Sequence, residues 1–173
     1  AQAEDLFERV RDLQPTPRGQ MKVLERLATS ARLQNELDRA LPLYERAVAL
    51  GEQHLPADDV DLAFVLNTYA IALLNRGDYT DAEPLFRRVL QTRRLTPVPL
   101  HPDRALMAVA LDTHGNALRK LGRLSEALAL HEESYAHRKV IAADMAGESS
   151  DTPFSLSHLT KTYWLVDRLD DAM

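Results

Sequence analysis

The chain has 173 residues, 45% of them hydrophobic and 27% charged, with 21 basic and 26 acidic side chains. This is the composition of an ordinary folded protein, and the formal net charge of −5 argues against a non-specific grip on nucleic acid through phosphate neutralisation. Cysteine is absent, which excludes disulfides and thiolate zinc sites, and no apolar run approaches the roughly 20 residues that span a bilayer, so we expect no membrane partner.

The first residues look like the second half of a helix pair. Residues 3–10, AEDLFERV, match residues 82–89, AEPLFRRV, at most positions. We therefore expect residues 1–14 to be a second helix from a truncated repeat. Pro15 and Pro17 end it, and Thr16 is predicted to cap the next helix with Pro17 at its first position.

Three complete helix pairs and one partial pair are predicted to follow. Their apolar residues recur at helical spacing, and polar or proline-rich loops separate them. The predicted repeats span residues 18–53, 61–95 and 103–145, and a truncated fourth repeat covers residues 153–173.

The same register recurs in every pair. A small residue in the first helix stands 12 positions before a small residue in the second, at Ala28 and Ala40, Ala70 and Ala82, Gly115 and Ala127, and Thr160 and Ala172. Between them come residues that tolerate a left-handed backbone, Asn35, Gly77, Gly122 and Asp167. Three positions further on are the predicted helix caps Asp38, Thr80, Ser125 and Asp170, with Thr80 and Glu83 forming a predicted capping box. This self-similar unit predicts an all-α fold, an α-solenoid of antiparallel helix pairs.

The pattern of small residue, glycine-type turn and second helix with alanine in its first turn resembles the tetratricopeptide repeat. Strings such as VDLAFVLNTYA, GDYTDAEPLFRRVL and LHPDRALMAVALDTHGNAL are similar to its kinesin light chain type, which also occurs in bacterial signalling proteins. The resemblance implies a right-handed superhelix whose first helices line a concave groove for peptides or partner proteins. We also expect the chain to be a piece of a larger, cytoplasmic signalling protein.

Carrying over the family's groove positions gives ten candidate partner-binding residues. They are Arg26, Asn67, Thr68, Asn75, Asp112, Thr113, Asn116, Arg119, Lys161 and Trp164. The family type usually places two adjacent asparagines here, whose amides hold a peptide backbone; only Asn67 matches in full, and Thr68, Asp112 and Thr113 are partial substitutes. The alternative is that these are solvated surface residues.

Charge at the same positions leaves a further question open. Arg26, Arg119, Lys120 and Lys161 suggest a seat for an acidic peptide or a terminal carboxylate. Glu25 and Asp112 are predicted to lie in the same groove, where they are able to pair with those cations instead.

No motif points to catalysis, a cofactor or a metal. The sequence lacks a phosphate-binding glycine loop, a GxSxG elbow and an HExxH motif. His114 and His131 occupy positions that are usually apolar or aromatic, so they are predicted to be packed imidazoles, each with a hydrogen-bond partner.

We therefore predict a non-catalytic scaffold or regulatory module that binds a protein or peptide. One alternative is a domain that senses a ligand or signalling peptide and controls a kinase, an ATPase or a DNA-binding domain elsewhere in the parent protein. Another is self-association through exposed solenoid ends.

Overall fold

The structure is a computed structural model of the chain. It describes residues 9, 16–95, 101–144, 157–158, 160–164 and 166–167, with the backbone alone at 101–104 and 142–144. Regular structure within these ranges is helical, with no strand. None of the described helices is long and apolar enough to cross a bilayer.

Residues 1–78 form the first of two compact units, called unit one. It contains α1 (Pro17–Leu33), α2 (Leu37–His54) and α3 (Val60–Arg76). α2 packs against both α1 and α3, and α1 also touches α3. Tyr44 of α2 is fully buried, and its ring stacks on that of Tyr69 in α3 with centroids 5.9 Å apart.

Residues 79–173 form unit two. It contains α4 (Tyr79–Leu95), α5 (His101–Lys120) and α6 (Leu124–Asp144), and α5 packs against both of the others. The described residues between 157 and 167 are also helical and are called the C-terminal segment. Phe86, Leu111 and Ala127 are fully buried in the core of this unit.

The turns after α1, α3 and α5 each depend on one residue in the left-handed region. The φ angle is +61° at Asn35, +98° at Gly77 and +77° at Gly122, as the sequence predicts. The next residue then donates its amide to a carbonyl five positions back, as from Asp78 to Leu73 at 2.9 Å, which satisfies a helix-end carbonyl. Asp167, the fourth predicted turn residue, is instead helical, in keeping with the steric cost that a side chain adds to the left-handed conformation.

The predicted caps of the second helices are wrong by two residues. α2, α4 and α6 begin at Leu37, Tyr79 and Leu124, so Asp38, Thr80 and Ser125 are each the second helical residue. The residue directly before each second helix already donates its amide to the last turn of the preceding helix. The second helix therefore begins at the next residue, and a cap cannot lie further along. Asp170 lies outside the described residues.

The capping box is also wrong, whereas the first cap is confirmed. Both carboxylate oxygens of Glu83 accept from Arg87 Nη2 at 2.7 Å, so this side chain serves Arg87. Thr16 does cap α1, since its hydroxyl accepts from the Gly19 amide at 3.2 Å.

Candidate partner-binding faces

The candidate residues lie on the first helices of the predicted pairs and on the C-terminal segment. Unit one holds Arg26 on α1, and Asn67, Thr68 and Asn75 on α3. Unit two holds Asp112, Thr113, Asn116 and Arg119 on α5, and Lys161 and Trp164 in the C-terminal segment. The two sets belong to different compact units, so each is described by itself.

On α3, two polar candidates are nearly buried and the third is exposed. Asn67 and Thr68 are each 9% exposed, while Arg26 of α1 and Asn75 are exposed. The Thr68 hydroxyl donates to the carbonyl of Val65 at 3.0 Å, which leaves its oxygen free to accept. The Asn67 Oδ1 atom accepts no hydrogen bond within the described part of the chain. Thr68 therefore keeps acceptor capacity that suits a donor such as a peptide N–H, whereas the Asn67 Oδ1 atom is buried.

Within the described part of the chain, Glu25 does not pair with Arg26, although the sequence allows that pairing. The side chain is 6% exposed, and its Oε1 accepts from the Thr29 hydroxyl at 2.7 Å. That hydroxyl in turn lies 2.7 Å from Tyr44 Oη. Glu25 thus belongs to the packing of α1 on α2.

Salt bridges join the start of α1 to the start of α3. Arg18 Nη2 lies 2.6 Å from an oxygen of Asp59, and Lys22 Nζ lies 2.9 Å from one of Asp61. Asp59 also caps α3, accepting from the Asp61 and Leu62 amides at 2.9 and 3.1 Å. These contacts fix the register of the two first helices within unit one.

On α5, the threonine repeats the geometry found on α3. The Thr113 hydroxyl donates to Val109 and Ala110 carbonyls at 2.9 and 3.1 Å, and it too keeps its acceptor capacity. Further along, Arg119 Nη2 donates to Asn116 Oδ1 at 3.4 Å, whereas Arg119 Nε is buried and has no hydrogen-bond partner among the described residues. This helix therefore presents both acceptors and a guanidinium.

The C-terminal segment carries the remaining candidates at its surface. Lys161 is exposed and Trp164 is 56% exposed. Together with Ser157 and Thr160 they line a shallow hollow. An indole beside an ammonium group makes this surface able to contact both apolar and anionic groups.

Asp112 does not face a partner, so this part of the prediction is wrong. It is 2% exposed, and its Oδ2 accepts from Arg138 Nη2 of α6 at 2.9 Å. Burial would raise the pKa of this carboxyl, but its polar neighbours on α6, His131, Ser134 and Arg138, lower it overall. Asp112 therefore holds α5 to α6 instead of contacting a ligand.

The two buried histidines are packed as predicted, but neither makes the predicted hydrogen bond to a residue that the structure describes. His114 is 5% exposed and His131 is fully buried. The nearest carboxylate oxygens lie 3.5 Å away, on Glu83 and Asp112 respectively. Burial lowers the pKa of His114 and the cations Arg87 and Arg123 add to this, while Glu83 opposes it. In the part of the chain that the structure describes, no three His, Asp or Glu side chains are placed to hold a metal.

Exposed apolar side chains follow the same distribution as the candidates. Of the nine large hydrophobic side chains that are exposed among the described residues, seven lie on first helices or on the C-terminal segment. These are Leu33, Val60, Phe64, Leu106, Val109, Tyr163 and Trp164, and the other two are Leu95 and Val140. Among the described residues, the first helices thus expose more large apolar side chains than the second helices do.

Phe64 and Val109 extend the two candidate faces. Each stands four residues before the threonine of its helix, and they are 42% and 39% exposed. We call Phe64, Asn67, Thr68 and Asn75 the α3 face, and Val109, Thr113, Asn116 and Arg119 the α5 face. The two apolar residues occupy the same position of successive repeats, and the resemblance to the family also implies that they are groove residues.

The fold of this chain is similar to the solved structures of several repeat proteins. The nearly identical TPR-like repeats of a Podosopora anserina protein named as a kinesin light chain are 20% identical, with a TM-score of 0.73 over 99% of this chain and 81% of that one. A substituted variant of those repeats gives a TM-score of 0.74, again at 20% identity, over 99% and 80% of the two chains. BtubC (BKLC) from P. vanneervenii is 19% identical, with a TM-score of 0.78 over 96% of this chain and 66% of that one. At these identities the likeness shows the fold, and it confirms the predicted α-solenoid class.

The sequence itself matches a family model. No curated protein matches the chain. The model of the tetratricopeptide repeat matches residues 19–95 and 61–139, which together cover most of the sequence. This chain therefore belongs to the tetratricopeptide repeat family.

Proposed function

We propose that this chain is a non-catalytic module that binds a peptide or protein segment through the exposed faces of its first helices. Repeats of this family generally mediate protein–protein interactions. The observation that carries the proposal is the concentration of exposed apolar side chains on the first helices, next to threonine hydroxyls that have acceptor capacity to spare. Each unit offers such a surface, the α3 face in one and the α5 face in the other.

The chemistry of each face suits a peptide. Covering the exposed part of Phe64 would contribute roughly 1 kcal/mol from apolar burial. Asn67 and Thr68 lie within about one turn of it, and the Thr68 hydroxyl is able to accept a hydrogen bond, as a backbone amide requires. Val109 and Thr113 repeat this arrangement on α5.

The partner of unit two is expected to carry acidic side chains. The only acidic candidate there, Asp112, is engaged by Arg138 at 2.9 Å, which leaves neutral and cationic candidates at the surface. Lys120, close to them on α5, lies 6.0 Å above the Tyr79 ring. Binding through Arg119 and Lys161 should accordingly weaken as salt is added, because salt screens the attraction between exposed charges. At physiological ionic strength this attraction is largely screened beyond about 8 Å.

The test uses peptides selected from a random linear library displayed on phage against the whole chain. Replacing Asn67 or Asn116 by alanine should weaken the binding of peptides that use that unit by roughly 1 to 3 kcal/mol, because a hydrogen-bonding group of the peptide loses its partner. Affinity is measured by isothermal titration calorimetry.

Each variant has a matched control on a second helix of the same unit. Gln53→Ala on α2 and Gln91→Ala on α4 remove an exposed amide and should leave affinity unchanged. If Gln53→Ala and Gln91→Ala abolish binding while the folded asparagine variants bind normally, the second helices are the working surface and the proposal fails.

A further inference from the structure

Two histidines join the C-terminal segment to the rest of unit two. The ring of His158 stacks on that of His131 in α6, with centroids 5.6 Å apart and planes inclined by 18°. His131 is fully buried. On its other side α5 approaches so closely that a Cβ added at Gly115 would lie 2.7 Å from His131 Cε1. The imidazole of His131 is thus held between α5 and the segment, with little freedom to move away.

Most of the charges around this stack are positive. Apart from His131 itself, α5 contributes Asp112 and Arg119, α6 contributes Glu132 and Arg138, and the segment contributes Lys161. The negative charge of Asp112 is balanced by Arg138, whose Nη2 lies 2.9 Å from the carboxylate. A proton added to His158 therefore enters a half-buried site where Arg119 and Lys161 already place positive charge.

We propose that the C-terminal segment is a pH-sensitive element, which docks on α5 and α6 while His158 is neutral and is released when His158 is protonated. The His158 ring packs on the buried His131, and this loss of water around the ring disfavours its charged form. Arg119 and Lys161 act in the same direction. The burial of Thr162 and the hydrogen bond from Tyr163 to Glu132 favour docking, so acidification shifts the docking equilibrium against these contacts.

The direction follows from the proton affinity of the two states. Burial, together with His131, Arg119 and Lys161, lowers the pKa of His158 in the docked state, although Asp112 opposes this. The released segment has an ordinary histidine pKa of about 6.5 and binds protons more readily. Docking is therefore complete above about pH 6.5 and weakens as the pH falls from there towards the lower pKa of the docked state.

The segment carries Lys161 and Trp164, two of the candidate partner-binding residues. A loss of their contacts with a partner on acidification would rest on the proposed function, whereas docking of the segment does not. For this reason the test contains no peptide, and its failure would leave the proposed function standing.

The test is amide hydrogen exchange of the whole chain at pH 7.5 and pH 5.0, corrected for the intrinsic effect of pH on exchange. Peptides covering residues 157–167 should lose protection at pH 5.0, because protonation of His158 favours the released state. Peptides covering α5 should keep theirs. Trp164 is the sole tryptophan, so its emission reports on the same segment independently.

Variants separate the stack from other causes. His158→Phe keeps a stacked ring without the titratable nitrogen and should make protection of the segment independent of pH, and His158→Gln serves as a second neutral replacement. His54→Phe, at the exposed end of α2, should respond as the unmodified chain does. Unchanged protection in the unmodified chain, a persisting pH response in both His158 variants, failure of both variants to dock at pH 7.5, or simultaneous loss of protection in α5 would each overturn the proposal.

Discussion

Replacing Arg138 by methionine is expected to destabilise unit two strongly, because it leaves the Asp112 carboxylate buried without its cation. The two side chains are 5% and 2% exposed and meet at 2.9 Å across the contact of α5 with α6. Breaking a buried pair of this kind costs about 3 to 5 kcal/mol. His131 Nδ1 remains 3.5 Å from the other carboxylate oxygen, so we expect the lower end, about 3 kcal/mol.

Acid should reduce this deficit. In the unmodified chain the pKa of Asp112 is lowered, so its stabilising contribution is present above its ordinary pKa of about 3.9 and is lost as the pH falls through the lowered value. In the variant the carboxyl is neutralised at higher pH, since its main cation is gone. The difference in unfolding free energy between the two proteins should therefore be smaller near pH 4 than at pH 7.

The assay is urea unfolding followed by far-ultraviolet circular dichroism at both pH values. The double variant Asp112→Leu, Arg138→Met removes both charges and should recover at least half of the loss, because a buried pair replaced by apolar groups is often neutral in stability. A loss below about 0.5 kcal/mol in Arg138→Met, within the range of ordinary surface substitutions, would refute the buried pairing of α5 with α6.

Three further substitutions test the turn and packing assignments by the same unfolding assay at pH 7. Gly77→Ala should cost about 1 kcal/mol, since φ is +98° with open space around the added Cβ, and this cost is therefore one of backbone strain; an unchanged midpoint would contradict the left-handed turn. Thr80→Ala should reduce the unfolding free energy by less than about 0.5 kcal/mol, because Thr80 lies inside α4. A reduction near 1 kcal/mol would show instead that Thr80 caps the helix. Gly115→Ala should cost about 1 to 3 kcal/mol through overpacking against His131, and a stability equal to that of the unmodified chain would show that the imidazole is not confined there.

The turns were predictable from the sequence because each depends on one residue. Gly77 and Gly122 reach a left-handed φ without steric cost, and Asn35 does so at a small one. The constant spacing between small residues then places the helices on either side to within a few positions. The caps were not predictable in the same way, since their position depends on how tightly the two helices are joined.

The candidate faces were only partly predictable, for a geometric reason. Successive residues on a helix point about 100° apart, so a one-residue ambiguity decides whether a side chain faces solvent or a neighbouring helix. Thr113 is partly exposed and Asp112, one residue earlier, is buried against α6. Arg138, the partner of Asp112, is 26 residues away in sequence, and no local pattern signals a pair at that distance.

The most direct test of binding through the first helices compares two valines of unit two. Val109 on α5 and Val140 on α6 are each 39% exposed, so they offer the same side chain with the same accessibility on a first and a second helix. A photoreactive benzoylphenylalanine is placed at one or the other position, and a peptide selected from the random library for binding unit two is added before irradiation. Mass spectrometry should find the peptide attached at position 109 and not at position 140, whereas attachment at 140 alone would contradict binding through the first helices.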